Sequence, residues 1–151
     1  MKAVIALGAN LEDPETAIEL ALSLLELSTD LISRSNLYST KPVGGPPQPD
    51  YINAVAIIDS ELPAHDLLGL LNGIEKSMGR VRNERWGPRV IDLDLIVYGD
   101  LQNEDESLTL PHPRAHERRF VLEPWLEIDP DAYLPKHGLV RDILAKLPPS
   151  K

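Results

Sequence analysis

The chain has no cysteine among its 151 residues, which excludes disulfides, thiolate-ligated metal and thiol catalysis. Aromatic side chains are also scarce, at 5% with Phe120 the single phenylalanine, whereas an RNA-binding sheet needs several exposed rings on its central strands. Basic residues are in deficit, 15 against 24 acidic for a formal net charge of −9, which argues against a general binder of nucleic acid or anionic membrane. No apolar run approaches the ~20 residues that span a bilayer. The apolar run at 3–7 meets Glu12 and Asp13 almost at once, without a cleavage-type region, so no signal peptide is expected. These absences fit the cytoplasm and argue against nucleic acid or membrane as partner; a monomer is expected.

What is present is a 42% hydrophobic fraction, enough for one ordinary domain spanning 1–151. At this size about two-thirds of the unfolded surface can be buried. Residues 2–7 read as a short buried strand closed by Gly8 and Asn10. A helix follows, with Asp13 as N-cap, Pro14 at its first position, and Ile18, Ala21, Leu22 and Leu25 on one face. Residues 31–39 form a weaker strand. The stretch 40–49 holds four prolines and two glycines and reads as a long lid-like loop. Residues 51–58 alternate, with Tyr51, Asn53, Val55 and Ile57 on one face and Ile52, Ala54, Ala56 and Ile58 on the other. Pro63 opens a second helix whose face is Leu67, Leu71, Ile74 and Met78, and Gly79 stands where a C-terminal cap glycine belongs. After a basic loop at 80–89 comes a strand at 90–98. Beyond Gly99 the chain reads as acidic and turn-like to Thr109, a further helix begins at Pro111, and the last twenty residues are a weakly patterned tail. The order strand, helix, strand, strand, helix, strand predicts an α+β fold: a ferredoxin-like βαββαβ antiparallel sheet, with C-terminal helices on the other face making three layers.

Two features carry chemistry. In the strand at 90–98, Asp92 and Asp94 interrupt an apolar run and share a face, ~7 Å apart at ~3.3 Å per residue. Paired like charges on a half-buried strand raise each other's pKa unless a cation lies between them, and short carboxylates with no nitrogen or sulfur donor suit magnesium. An edge strand with a solvated polar face would produce the same alternation. The segment 80–89 places Arg80, Arg82, Arg85 and Arg89 around Trp86 immediately before this strand. With Arg114, Arg118 and Arg119 it gathers seven of the nine arginines between 80 and 119. Guanidinium forks bind phosphate oxygens in pairs, although a salt-bridged surface loop would also be basic. His112 and His116 stand four apart without a third ligand for zinc. Metal-binding carboxylates beside convergent arginines are the parts of phosphoryl transfer. There is no P-loop and no protein-kinase motif set.

The run Arg85-Trp-Gly-Pro-Arg89-Val-Ile-Asp92-Leu-Asp94-Leu-Ile resembles the signature of the 6-hydroxymethyl-7,8-dihydropterin pyrophosphokinases of folate biosynthesis. Four further matches stand in the family's order: Gly8-Ala-Asn10-Leu, Tyr38-Ser-Thr40, Gln48-Pro-Asp-Tyr51-Ile-Asn53 and Leu110-Pro-His112-Pro. The resemblance implies transfer of pyrophosphate from ATP to the pterin hydroxymethyl group, releasing AMP. Two Mg2+ ions would be held by Asp92 and Asp94, with Arg80 and Arg89 stabilising the transferring phosphates. Arg82 and Trp86 would ride on a closing loop. ATP contacts would come from Asn72, Glu75, Arg82, Trp86, Arg89, Leu95, Thr109, His112 and Arg118. The pterin would be sandwiched by Tyr51 and Phe120, with Thr40, Pro42, Val43, Asn53, Trp86 and Asp92 around it. A ferredoxin-like RNA- or nucleotide-binding domain without catalysis, or a phosphotransferase with another acceptor, are the competing readings.

Overall fold

The computed structural model describes residues 1–41, 47–79 and 90–148. Its centre is β1 (Lys2–Ala9), which pairs antiparallel with β4 (Tyr51–Asp59) on one side and with β5 (Asp92–Tyr98) on the other. The outer edge beside β4 is shared by two short strands, β2 (Asp30–Arg34) and β3 (Tyr38–Thr40). The expected single strand at 31–39 is therefore two, because Ser35 leaves the ladder to bond Val55 through its side chain.

Both faces of the sheet are covered. On one, Ile5, Leu7 and Ala9 of β1 meet α1 (Pro14–Glu26) and α2 (Ala64–Ser77) through Ile18, Leu22, Leu25, Leu67 and Leu71. The small Ala54 and Ala56 of β4 lie in the same core. Alternation sends Val4, Val55 and Ile57 to the opposite face, where they pack on Val121, Leu122 and Trp125 of α3 (Arg119–Ile128) and Val140 of α4 (Val140–Lys146). The capping logic holds for the first two helices: Asp13 accepts the Thr16 N–H at 3.3 Å, and Gly79 takes φ +82 just past α2.

Between Val4 and Ile5 the β1–β5 register slips, so Val4 opposes Val97, Ile5 opposes Leu95, and Ile96 has no Cα partner. This bulge turns Ile96 and Val97 together toward the α3 core while Leu95 and Tyr98 join the other. Ile96 O then accepts the His112 N–H at 2.8 Å, fixing the segment that leads into α3.

Three expectations need correction. The acidic stretch after Gly99 forms a hairpin, β6 (Asn103–Asp105) and β7 (Leu108–Leu110), whose buried Leu108 and Leu110 alternate over too few residues to give a pattern. The helix expected at Pro111 begins at Arg119, because prolines at 111 and 113 hold the residues before them extended. Only a single 3-10 turn, Ala115–Glu117, precedes it. The C-terminal tail is ordered as hairpin β8 (Tyr133–Leu134) and β9 (Gly138–Leu139) followed by α4, with Leu134 and Val140 buried. Among the described residues no helix is long and apolar enough to cross a membrane.

Leu71 of α2 is fully buried in the first core. Leu71→Ala should lower unfolding free energy by about 2–5 kcal/mol with an unchanged urea slope, and a loss below about 0.5 kcal/mol would contradict its place in that core.

Candidate active site

The α3 face of the sheet is apolar at one end and open at the other. Along β1 this face carries Val4, Ala6 and Gly8. Across the register Gly8 lies opposite Asn53 of β4 and opposite Asp92 of β5, while Ala6 lies opposite Val55 and Asp94. With strands ~4.8 Å apart, Asn53 and Asp92 are separated by roughly 10 Å, with the side-chain-free Gly8 between them. The result is a trench with a flat floor, and above it a cavity of about 450 Å³. Thr40, Lys41, Tyr51 and Asn53 line one side, Asp92 and Asp94 the other, and Arg114, Glu117, Arg118 and Phe120 close it from the segment entering α3. Gly8 has a steric reason to be glycine: a Cβ there would lie 3.2 Å from Asn53 Oδ1 and 3.7 Å from Tyr51 Cδ1.

Local bonds fix the polar groups. Asn53, buried, donates its amide to Thr40 Oγ1 at 2.6 Å, which leaves the threonine hydroxyl to donate in turn. Arg118 Nη1 lies 3.8 Å from Asp94 Oδ2, and its guanidinium carbon is 5.6 Å from the Phe120 ring centre. At that separation and exposure the ion pair is worth at most about 1 kcal/mol, so it orients more than it stabilises. Asp92 and Asp94 are half-buried, adjacent on one face and all-oxygen. That donor set fits a divalent cation that takes one or two carboxylates and fills its other positions with water or phosphate.

His112 stands just behind. Its Nδ1 accepts the Arg114 N–H at 3.2 Å, which places the proton of the neutral ring on Nε2. Burial first, then the positive charges of Arg118 and Arg114, push its pKa down to about 4, against an opposing pull from Asp92. It is uncharged at neutral pH. His116 does not join it: its ring stacks on His137 at 4.1 Å, and its Nε2 faces Glu117 at 3.5 Å.

Of the residues named from sequence, Thr40, Tyr51, Asn53, Asp92, Asp94, Arg118 and Phe120 meet in this one cavity. Arg80, Arg82, Trp86, Arg89, Pro42 and Val43 lie outside the described residues. Five others, His112 among them, do not line the cavity. Leu95, whose place in the strand alternation is opposite to that of Asp92 and Asp94, is packed in the first core on the other face. Glu75 is buried in α2 and accepts the Leu93 N–H at 2.8 Å, bracing β5 from behind. Thr109 bonds the Asp105 carbonyl within its own hairpin at 3.1 Å, and Asn72 is exposed on α2. Lys41, Arg114 and Glu117 line the cavity without having been assigned to it from sequence. For Arg114 the signal was its place in the second basic run; Glu117 had none. The described lining balances three cations, Lys41, Arg114 and Arg118, against three anions, Asp92, Asp94 and Glu117.

The family model for 7,8-dihydro-6-hydroxymethylpterin-pyrophosphokinase matches residues 4–130. The 2-amino-4-hydroxy-6-hydroxymethyldihydropteridine pyrophosphokinase of Haemophilus influenzae is 44% identical over 144 residues, covering 94% of this chain and 90% of that protein. The protein of the same name from Bacillus subtilis is 41% identical over 128 residues, covering 83% and 77%. Among solved structures, Plasmodium falciparum HPPK-DHPS wild type with pterin and p-hydroxybenzoate superposes with a TM-score of 0.72 at 16% identity. It covers 96% of this chain but this chain spans only 42% of it, a likeness of fold alone.

Because the folded protein keeps His112 neutral, the unfolded chain binds the extra proton between about pH 6.5 and about pH 4, and stability must fall as pH drops through that window. His112→Gln should flatten this part of the profile in urea midpoints measured from pH 7 to pH 4. A variant that loses as much stability over the window as the parent would contradict the burial of an uncharged imidazole.

Proposed function

The chain belongs to the 7,8-dihydro-6-hydroxymethylpterin-pyrophosphokinase family, and from that membership we propose that it transfers the pyrophosphoryl group of ATP to 6-hydroxymethyl-7,8-dihydropterin in folate biosynthesis. The observation that carries this reading is the trench itself. One cavity holds an aromatic pair and a buried amide suited to a flat heterocycle, and beside them two carboxylates suited to a metal–phosphate complex.

In this reading the hydroxymethyl oxygen bonds to the β-phosphorus of ATP as that phosphorus parts from the oxygen it shares with the α-phosphate. AMP leaves and the hydroxyl proton is released. Tyr51 and Phe120 hold the pterin rings, and Asn53 with Thr40 offers fixed partners to its polar edge. Arg118 and Arg114 bring positive charge to the phosphate side. Asp92 and Asp94 would hold Mg2+, two ions as the family resemblance implies, which neutralises charge on the phosphates. His112, neutral and bearing its proton on Nε2, can donate a hydrogen bond to a phosphate or ribose oxygen without adding charge. For Arg80, Arg82, Trp86 and Arg89 we propose the phosphate-side and lid roles their motif positions imply, and for Pro42 and Val43 a contact with the pterin. Asn72, Glu75 and Thr109 are proposed as ATP-side residues, with Leu95 acting through its backbone. The strand order β2-β4-β1-β5 with α1 and α2 on one face supports a ferredoxin-like description, the C-terminal helices adding a third layer, in a single domain.

The decisive assay is product analysis with Mg2+-ATP. AMP should form only when the hydroxymethyl dihydropterin is present; ADP as the sole product, or AMP made without pterin, would sink the proposal. Asp94→Ala should lower kcat by at least about 100-fold with an unchanged circular dichroism spectrum, since it removes half of the carboxylate pair. Gly8→Ala, by pressing on Asn53 Oδ1, should raise the pterin KM by roughly tenfold and leave the ATP KM nearly unchanged. Equal effects on both substrates would place Gly8 elsewhere than under the pterin.

A further inference from the structure

The outer edge of the sheet is broken next to the acceptor half of the cavity. β2 pairs with β4 along 56–59 and β3 pairs with it along 51–53, so residues 35–37 must leave the ladder between them. Ser35 fills part of the gap: its N–H donates to Val55 O at 2.8 Å and its hydroxyl oxygen accepts the Val55 N–H at 2.9 Å. The next N–H, of Asn36, is taken by Glu127 from the far end of α3, at 3.2 and 3.1 Å from the two carboxylate oxygens. The same carboxylate accepts the Tyr38 hydroxyl at 2.6 Å. These are charge-assisted bonds between segments 89 and 91 residues apart in the chain. Tyr38 is held as a donor: its hydrogen bond to Glu127 first, then burial and the charges of Glu127 and Glu123, push its pKa up to about 12.

β3 is only three residues long and, among the described residues, pairs on one side alone. So short an edge strand has little hold of its own. Yet it carries Thr40, whose hydroxyl takes the Asn53 amide at 2.6 Å, and Tyr38, whose Cα partner across the ladder is Asn53 itself. On α3, Phe120 and Glu127 are seven residues apart, two turns on the same stripe at ~1.5 Å per residue. The helix that presents Phe120 to the cavity is therefore also the helix that grips β3.

We propose that Glu127, which does not line the cavity, is a positioning residue for pterin binding: by holding Asn36 and Tyr38 it sets β3, and through Thr40 it sets the Asn53 amide at a fixed distance from Phe120. The proposal rests on the pterin reading given above. It is tested by steady-state kinetics with each substrate varied at saturating levels of the other, in Glu127→Gln, Tyr38→Phe and the double variant. The pterin KM should rise roughly tenfold in Glu127→Gln, while the ATP KM and kcat stay within about twofold. Tyr38→Phe should change the same constant, and the two substitutions should be less than additive in the double variant, because they act on one shared contact. An unchanged pterin KM in an active protein would overturn the positioning role and leave the reaction standing. So would a parallel change in the constants of both substrates, which a general loss of packing gives. A parent protein that makes no pterin-dependent AMP would remove the reading and this role together. Should Glu127→Gln fail to fold, Tyr38→Phe carries the test, since it deletes one hydroxyl from a half-exposed ring.

Discussion

The site depends on the register of one strand. β1 is hydrogen-bonded on both sides, and its odd residues Ala3, Ile5, Leu7 and Ala9 are locked in the core beneath α1 and α2. A slip of one residue would turn all four outward, so the even residues have no freedom in where they fall. Gly8 is consequently held between Asn53 and Asp92, and the absence of its side chain makes a floor where any other residue would make a ridge. The Asn53 amide and the Asp92 carboxylate thus owe their separation to two strand spacings, not to flexible side chains.

The second constraint is that α3 covers only part of its face. Trp125, Leu122 and Val121 fill the end of the sheet near Val4 and Ile57, but Arg118 is extended and the helix begins at Arg119, so over Ala6 and Gly8 the covering layer gives way to a cavity with Phe120 at its edge. The segment from Pro111 to Arg118 spans that gap instead, fastened at its start by the His112 N–H to the unpaired Ile96 of the bulge. A bulge that looks like a defect in β5 is what lets the chain place His112, Arg114 and Arg118 next to Asp92 and Asp94. Arg119, by contrast, turns away: it pairs with Glu123 at 2.9 Å and donates to the carbonyl of Pro148 at 2.9 Å, tying the end of the chain to α3.

What sequence reading could reach follows from these geometries. Period-2 alternation is a local property, so the faces shared by Tyr51 with Asn53 and by Asp92 with Asp94 were legible, as were α1 and α2 with their cap residues. Which strands adjoin, and in what register, is set by contacts between distant segments, and no local pattern says that Gly8 stands between Asn53 and Asp92. The β6–β7 hairpin and the C-terminal hairpin are two or three residues per strand, too short to show a period. Glu75 illustrates a different loss. Its motif position marks it as a ligand contact, and its carboxylate also accepts a backbone N–H of β5 from a buried place, something that only the packing of α2 on the sheet reveals. The charge argument was legible only in part: the described lining is balanced, and the arginines at 80–89 on which the expected positive excess rests lie outside the described residues.

In α3, support and recognition are carried by one element. The helix is ten residues long, ~15 Å, with Phe120 near its start and Glu127 near its end. Trp125, 2% exposed, is wedged between them into the second core. A rigid body pinned at its middle transmits displacement to both ends, so a shift of Trp125 in its socket moves the aromatic wall and the β3 anchor together. Such coupling keeps Phe120 and β3 in step when the helix shifts along its length, because Glu127 holds Asn36 and Tyr38, and β3 carries Thr40. The spacing of Phe120 and Thr40 is then protected against small repacking in the core, whereas the Asn53 backbone stays fixed by the register of β1 and β4. A loop-built site, whose walls move independently, has no equivalent of that compensation.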